Sequence, residues 1–577
     1  MPLTAQQKRY IKKNADRMSP EEIARNGNIP EKEVFWFFKK NPSKSKIGKT
    51  SPDRTEEAPV SSNGFDFAAF LNDNLGIFIS LSLLVFIAYF NALGNGFVSD
   101  DIAAIANNPD IGKFSNIFSY FPNGSVQKLL YFFAFHIAGL SPWIFRSINI
   151  LAHLGSVFLV FTILSLLAKK PVAVMAAVLF AVHPILTESI TWISGGPYAL
   201  YSFFFLVSFL LYILSENSKK AYAYSILFFF LALTSSEKAM PLFLVFLLFE
   251  FVFRDLGKNW KKTIPYFSLS ILWLFMFLFR VGERVSSVVS DSPTQGNSGL
   301  FNPFIQIPVA IVSYLKLIFW PAKLSLYQTE MVFSTGQYVA ILLAFLVFLA
   351  IVFWSFKKDR KIFFWLSFFI VSLLVTLTPI KIAWVVAERY GYLGSIGIFV
   401  PLAYFFSYLS EKEEKWRVAA YSVFGILTIA LLVRTIIRNT DWKNEDTLWV
   451  ATAQVAPSGE HIHNNLGDVY SRQGDLPRAV LEFQKAIEIN PRYADGYHNL
   501  GNTYQQMEDY DNAVLNYRKA IEFNPNLWQS YQGLAAIYFE RGDYPQALEN
   551  IQAAAKINPN DPDLAQNLQL IRSRVGK

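Results

Sequence analysis

Five short clusters of ionisable residues interrupt a chain that is otherwise mostly apolar, and chemistry has to be sought there. The first is the adjacent pair Asp100-Asp101, in the stretch Asn95-Gly96-Phe97-Val98-Ser99-Asp100-Asp101 that follows the first apolar run. Neighbouring carboxylates just past a membrane helix can act as a general base, bind a metal or hold a sugar hydroxyl. The plainer alternative is a solvated acid pair or a helix cap. The second cluster is Arg146, Asn149 and His153, spaced so that all three share one helix face. Such a stripe inside a membrane is either functional or spent on helix–helix hydrogen bonds. The third is His183-Pro184-Ile185-Leu186-Thr187-Glu188, with Trp192 behind it; the fourth is Glu237-Lys238; the fifth is Glu388-Arg389-Tyr390.

The elements that must position these groups are membrane helices. Of 577 residues, 53% are hydrophobic and only 17% charged, and the mean hydropathy is +0.28. That balance places most of the chain in lipid. There is no cysteine, which excludes disulfides and thiolate metal sites. Apolar segments fall at about 74–92, 143–168, 171–187, 197–215, 221–236, 238–254, 263–281, 336–356, 362–380, 391–409 and 417–435. Most approach the ~20 residues needed to cross ~30 Å of hydrocarbon. Residues 304–320 read as a helix lying at the interface, because a twelfth crossing would misplace the basic loop at Lys357 to Lys361.

Charge sets the sidedness. Residues 1–50 carry 12 Lys/Arg against 5 Asp/Glu, while residues 440–577 carry 12 against 18. Short basic loops, from Lys169-Lys170 to the run Lys412 to Arg417, all fall on one side if the N-terminus is cytoplasmic. Eleven crossings then put the C-terminus outside, on the face that all five clusters share. No cleavable signal peptide is visible, so the first apolar run is expected to act as a signal anchor.

The tail repeats. Pro457, Pro491, Pro525 and Pro559 recur at a period of 34, as do Tyr470, Tyr504 and Tyr538, Ala479, Ala513 and Ala547, and Ala486, Ala520 and Ala554. This is the tetratricopeptide-repeat (TPR) period, in which small alanines let paired helices pack closely and proline ends the second helix. At the other end, Ser19-Pro20-Glu21-Glu22 is a helix start, and a second start at Ile29-Pro30-Glu31 leads into Val34, Phe35 and Phe38. The expected layout is therefore a small helical unit at 1–40, similar to a helix-turn-helix module or serving as a basic anchor on anionic lipid. A linker (41–72), a transmembrane domain (73–437) and a TPR domain (438–577) follow. The fold class is all-α, with about 11 spans ahead of a TPR superhelix.

Taken in order, Phe97-x-x-Asp100-Asp101, Arg146-x-x-Asn149-x-x-x-His153, His183-Pro184-x-x-Thr187-Glu188-x-x-x-Trp192, Glu237-Lys238 and Glu388-Arg389-Tyr390 resemble the transmembrane and TPR-containing O-mannosyltransferases. Arg438, Trp442, Glu445 and Leu448, leading into His463-Asn464-Asn465-Leu466-Gly467, also match that family's join. The resemblance runs from about residue 74 to the end. It departs at Gly195-Gly196-Pro197, where relatives tend to carry a Gly-Arg pair, and at Gly391 and Gly394.

The resemblance implies a GT-C glycosyltransferase fold and an inverting enzyme that takes a sugar, such as mannose, from a polyprenyl-phosphate donor. Asp100 or Asp101 would deprotonate an acceptor hydroxyl. Arg389 and Lys238, with Arg146 a further candidate, would hold the lipid phosphate; His183 and Glu188 would orient the sugar. Asn149, His153, Glu237, Glu388 and Tyr390 would support them. No cofactor or metal is required on this reading, although a divalent ion is compatible with it, and no nucleic acid is expected. The acceptor protein would dock in the TPR groove, outside the membrane, in a bacterial envelope rather than an endoplasmic reticulum. A non-catalytic TPR scaffold is the competing reading. A transporter would place charges at mid-span, where this chain is apolar.

Overall fold

The computed structural model describes residues 4–14, 20–30, 33–34, 37, 65–118, 121, 124–291, 302–328, 330–331, 333–377 and 385–575. Among these there is no strand. The chain divides into two compact units, Met1–Asn63 and Gly64–Lys577, so the expected transmembrane and TPR domains fall within one unit.

In the first unit, helices Ala5–Asn14 and Pro20–Asn26 bury Ile11, Ile23, Ala24, Ile29 and Val34. Pro20 opens its helix as expected. Ser19, Glu31, Phe35 and Phe38 lie outside the described residues, as does 41–64. The expected linker is shortened at its far end: Asp66 accepts from the amides of Ala68 and Ala69 at 2.9 and 3.1 Å, and this N-cap starts a helix at Phe67–Asp73.

Each of the eleven apolar segments is helical, but they are not equally long. Among the described residues, seven helices are long and apolar enough to cross a membrane: Leu75–Gly94, Pro142–Leu167, Ile193–Leu214, Leu256–Phe279, Thr335–Lys358, Arg360–Leu377 and Glu414–Asp441. A further apolar pair, Lys170–Val182 and Pro184–Thr191, is bent by 52°, as a broken span or a re-entrant loop is. The proline explains the break, since it lacks an amide donor and restricts the residue before it. Three segments are shorter than hydropathy indicates. Lys219–Ser235 has 17 residues; Phe243–Phe253 has 11 and follows a 3₁₀ stretch containing Pro241; Ile396–Ser410 has 15. Pro303–Phe319 is a helix of 17 residues that buries Gln306, Val309, Ala310, Tyr314 and Leu317. The membrane helices share one core running from Phe78 to Leu431.

The repeats form three antiparallel pairs, Glu460–Arg472 with Leu476–Ile489, Ala494–Gln506 with Tyr510–Phe523, and Trp528–Glu540 with Tyr544–Ile557, closed by Pro562–Val575. All six repeat alanines are fully buried. Asp475, Asp509 and Asp543 cap each second helix through an amide three residues on, at 3.2 Å in every repeat. Glu445–Val455 joins the last span to the array.

Candidate active site

The loop after the first span is held from several sides. The Gly96 amide donates to the Lys443 carbonyl at 2.9 Å, and the Asn95 side chain donates to the Asn439 carbonyl at 2.9 Å. Val98 is fully buried in one cluster with Trp192, Leu326, Trp442, Leu448, Trp449 and Val469, so the loop shares a core with the join and the first repeat helix. Ser99 then adopts φ +54°, a left-handed conformation uncommon for a residue with a side chain.

That kink turns the two carboxylates to opposite sides. Asp101 is fully buried and accepts from the Ser194 amide at 2.7 Å, the Ser194 hydroxyl at 2.5 Å and the Val98 amide at 3.3 Å. Burial pushes its pKa up to about 6 against those bonds and the charge of Arg146. Asp100 reaches solvent. The surrounding protein still strips enough water to raise its pKa, Arg389 opposing the rise and Glu445 adding to it. Of the pair, Asp101 anchors the loop and Asp100 is the exposed carboxylate.

Arg389 forms the centre of the site. It is ion-paired with fully buried Glu188, whose other oxygen accepts the Arg389 amide at 2.8 Å, and it hydrogen-bonds Tyr198. Its guanidinium lies 5.4 Å from the ring centre of Trp192 and 5.1 Å from that of Tyr390. The Lys238 ammonium lies 5.0 Å from the same Tyr390 ring and 3.7 Å from Glu237. Two cations thus flank one aromatic ring, and one of them, Arg389, acts on the Asp100 carboxyl. Behind them Trp192 stacks on Trp442 at 5.7 Å, and Arg438 covers the far side of Trp442 at 5.5 Å. Arg438 pairs with Glu388 at 3.3 Å, and Glu388 also accepts the Ser325 amide at 2.5 Å. Burial pushes the Glu388 carboxyl above the usual range.

Several residues expected at the site are used elsewhere. Arg146 donates to three main-chain carbonyls, Thr191 at 2.7 Å, Asn95 at 2.7 Å and Gly96 at 2.8 Å. Its guanidinium thereby ties the loop to the third cluster. Asn149 donates to the Trp192 carbonyl at 3.1 Å. His153 meets the Tyr392 hydroxyl at 2.7 Å. His183 is likewise engaged: one ring nitrogen meets the Ile318 carbonyl at 2.8 Å and the other receives the Ile185 amide at 3.2 Å, within the bend. Glu388 faces Arg438, away from Lys238. Gly195-Gly196 is explained by close approach, because a side chain at Gly196 would lie 2.1 Å from the Asn149 oxygen and one at Gly195 2.3 Å from the Glu188 carbonyl.

Sequence reasoning missed Ser194, Tyr198, Tyr327 and the direction in which Glu445 points. Tyr198 carried a signal, two residues after the glycine pair that departs from the expected pattern. Tyr327 carried none; it sits 6.0 Å from Trp449 and 5.9 Å from His461, ring to ring. Among the described residues, no group of three or more His, Asp and Glu side chains gathers to hold a metal ion.

A helical membrane protein that carries tetratricopeptide repeats and a buried cluster of charged residues is the class that these features define. Family models for the tetratricopeptide repeat match residues 467–508, 494–527 and 516–549. The chain is similar to the protein O-mannosyl-transferase Tmtc3 of Drosophila melanogaster, 23% identical over 72% of this chain and 55% of that one. It is 25% identical to the protein O-mannosyl-transferase F38B6.6 of Caenorhabditis elegans, over 73% of this chain and 63% of that one. With TMTC3 of Homo sapiens it shares 23% identity over 70% and 50%. The resemblance read from the motifs is borne out by these names. The chain spans between half and 63% of the length of these relatives. Among solved structures, the crystal structure of MamA protein is 20% identical, covers 22% of this chain and 70% of its own, and has a TM-score of 0.21.

Proposed function

We propose that this protein is an inverting glycosyltransferase that moves a sugar, mannose by likeness to the relatives, from a polyprenyl-phosphate donor to a protein hydroxyl. The observation that supports this reading is the exposed carboxylate of Asp100 within the field of Arg389, which together with Lys238 flanks the Tyr390 ring. Asp100 takes the proton of a serine or threonine hydroxyl, whose oxygen attacks the anomeric carbon. The bond from that carbon to the phosphate oxygen breaks on the opposite face, and polyprenyl phosphate leaves with the electron pair. Arg389 and Lys238 stabilise the charge growing on the phosphate, and Glu188 holds Arg389 in place. The site faces the extracytoplasmic side and the repeats dock the acceptor; the single cluster that holds both Val98 and Val469 supports placing acceptor and site together.

Membranes containing the protein, a radiolabelled polyprenyl-phosphate mannose and an acceptor peptide test the reading. Asp100→Asn should lower transfer by about 10³-fold, within the range for losing a general base, with the protein still folded. Undiminished transfer by Asp100→Asn would sink the assignment and leave the scaffold reading standing.

A further inference from the structure

We infer that Glu445, at the head of the helix that leads into the repeats, is a positioning residue that holds the Asp100 loop in its reactive conformation. The inference rests on the transfer reading above, because it concerns how Asp100 is aimed.

Ser99 is the pivot. Its left-handed φ of +54° sends Asp100 toward Arg389 and Asp101 into the interior, and no glycine is present to make that conformation easy. Within the loop the Ser99 carbonyl accepts the Ile102 amide at 3.1 Å; the Ser99 amide is held from outside it. The Ser99 amide donates to the Glu445 carboxylate, 346 residues further along the chain. The Ser99 hydroxyl meets Tyr327, which stands beside Trp449.

Glu445 is itself fixed. It is the first residue of Glu445–Val455, capped by Asn444 in a reciprocal pair with Thr447, and the positive end of a helix favours a carboxylate there. Trp449, one turn on, donates its indole N–H to the second Glu445 oxygen at 2.8 Å. A first-turn acid that served only its own helix would have no need to reach another loop; this one has one oxygen on its own helix and one on Ser99. The neighbouring Gly96–Lys443 bond fixes the base of the same loop but leaves the Ser99 torsion free. Without Glu445, Ser99 relaxes toward negative φ and swings Asp100 off line.

The test compares wild type, Glu445→Ala and Glu445→Ala with Ser99→Gly, in membranes, for sugar transfer and for hydrogen exchange of residues 96–102. Glu445→Ala should lower kcat by about 10–100-fold, the scale of a misplaced reacting group, with the donor KM changed less than about twofold. Adding Ser99→Gly should restore about tenfold, because glycine adopts positive φ without outside help. The amides of 96–102 should lose protection in Glu445→Ala while those of the repeats keep theirs. A loss of kcat that glycine does not recover, or a loop whose protection is unchanged, would overturn the inference. Wild-type membranes that transfer no sugar would instead overturn the transfer reading, and the exchange experiment would still decide the role of Glu445.

Discussion

Arg146 and Arg389 are both buried, both lie close to an aspartate and both come from motifs that look alike on paper, yet they do opposite things. Every donor group of Arg146 that bonds does so to a main-chain carbonyl. Arg389 has a carboxylate on one side, aromatic rings on two others and the field of Asp100 in front. The first is a fastening whose hydrogen bonds are committed to the backbone. The second, under the proposed reading, keeps part of its charge for the donor phosphate. A buried arginine is therefore diagnosed by what remains of its donors and charge, not by its burial.

The sharpest way to break this contrast is to change both residues. Arg389→Lys should keep the fold but raise the donor KM or lower kcat, together costing about 10²-fold in kcat/KM, because the planar fork that stacks and pairs is lost. Arg146→Lys should instead lower the melting temperature in detergent, by an amount equivalent to about 3 kcal/mol, since hydrogen bonds to a charged group are worth about 1.5–3 kcal/mol each. If Arg146→Lys spares stability and abolishes transfer, the contrast is wrong.

A finer test uses pH. The Asp100 carboxyl is raised above its ordinary value, and a general base works only when ionised. Transfer should therefore rise with pH along an acid limb lying above the ordinary carboxylate range. Removing the opposing cation with Arg389→Gln should move that limb further up, whereas Arg146→Lys should leave it in place; profiles of kcat/KM against pH decide. The smallest effect belongs to the ring that Lys238 and Arg389 share. Tyr390→Leu should weaken donor binding about three- to fivefold, as expected for cation–π contacts worth about 0.5–1 kcal/mol, and direct binding measurements would show a larger drop if Tyr390 also touches the donor.

Much of this arrangement was legible before the structure. The 34-residue alanine registers became three helix pairs with all six alanines buried, because close packing admits little else. The eleven apolar segments all became helices, but hydropathy could not show that Pro184 bends one or that the run after Lys238 is delayed by a 3₁₀ stretch, since composition carries no record of where a backbone changes pitch. Glu188, Lys238, Arg389 and Tyr390 came together as their motifs implied. What was hidden depended on partners far apart in the chain. Nothing local says that Asp101 turns inward to Ser194, that His183 faces the Ile318 carbonyl, or that Glu445 reaches Ser99.

The last membrane helix has one more consequence. Glu414–Asp441 has 28 residues, about 42 Å at the rise of an α-helix, against ~30 Å of hydrocarbon, so about two turns extend beyond the lipid. Near that end Asn439 is bolted to the Ala88 carbonyl at 2.7 Å, to Asn91 at 2.8 Å and to Thr191 at 2.7 Å. The stalk therefore fixes both the height at which the repeats begin and the compass bearing they take. Under the proposed reading, a peptide gripped by the array and running to Asp100 covers a constant distance, and an extended chain spends about 3.3 Å on each residue. The protein would then choose its target by counting: the modified hydroxyl falls a set number of residues from the gripped segment, whatever the sequence between.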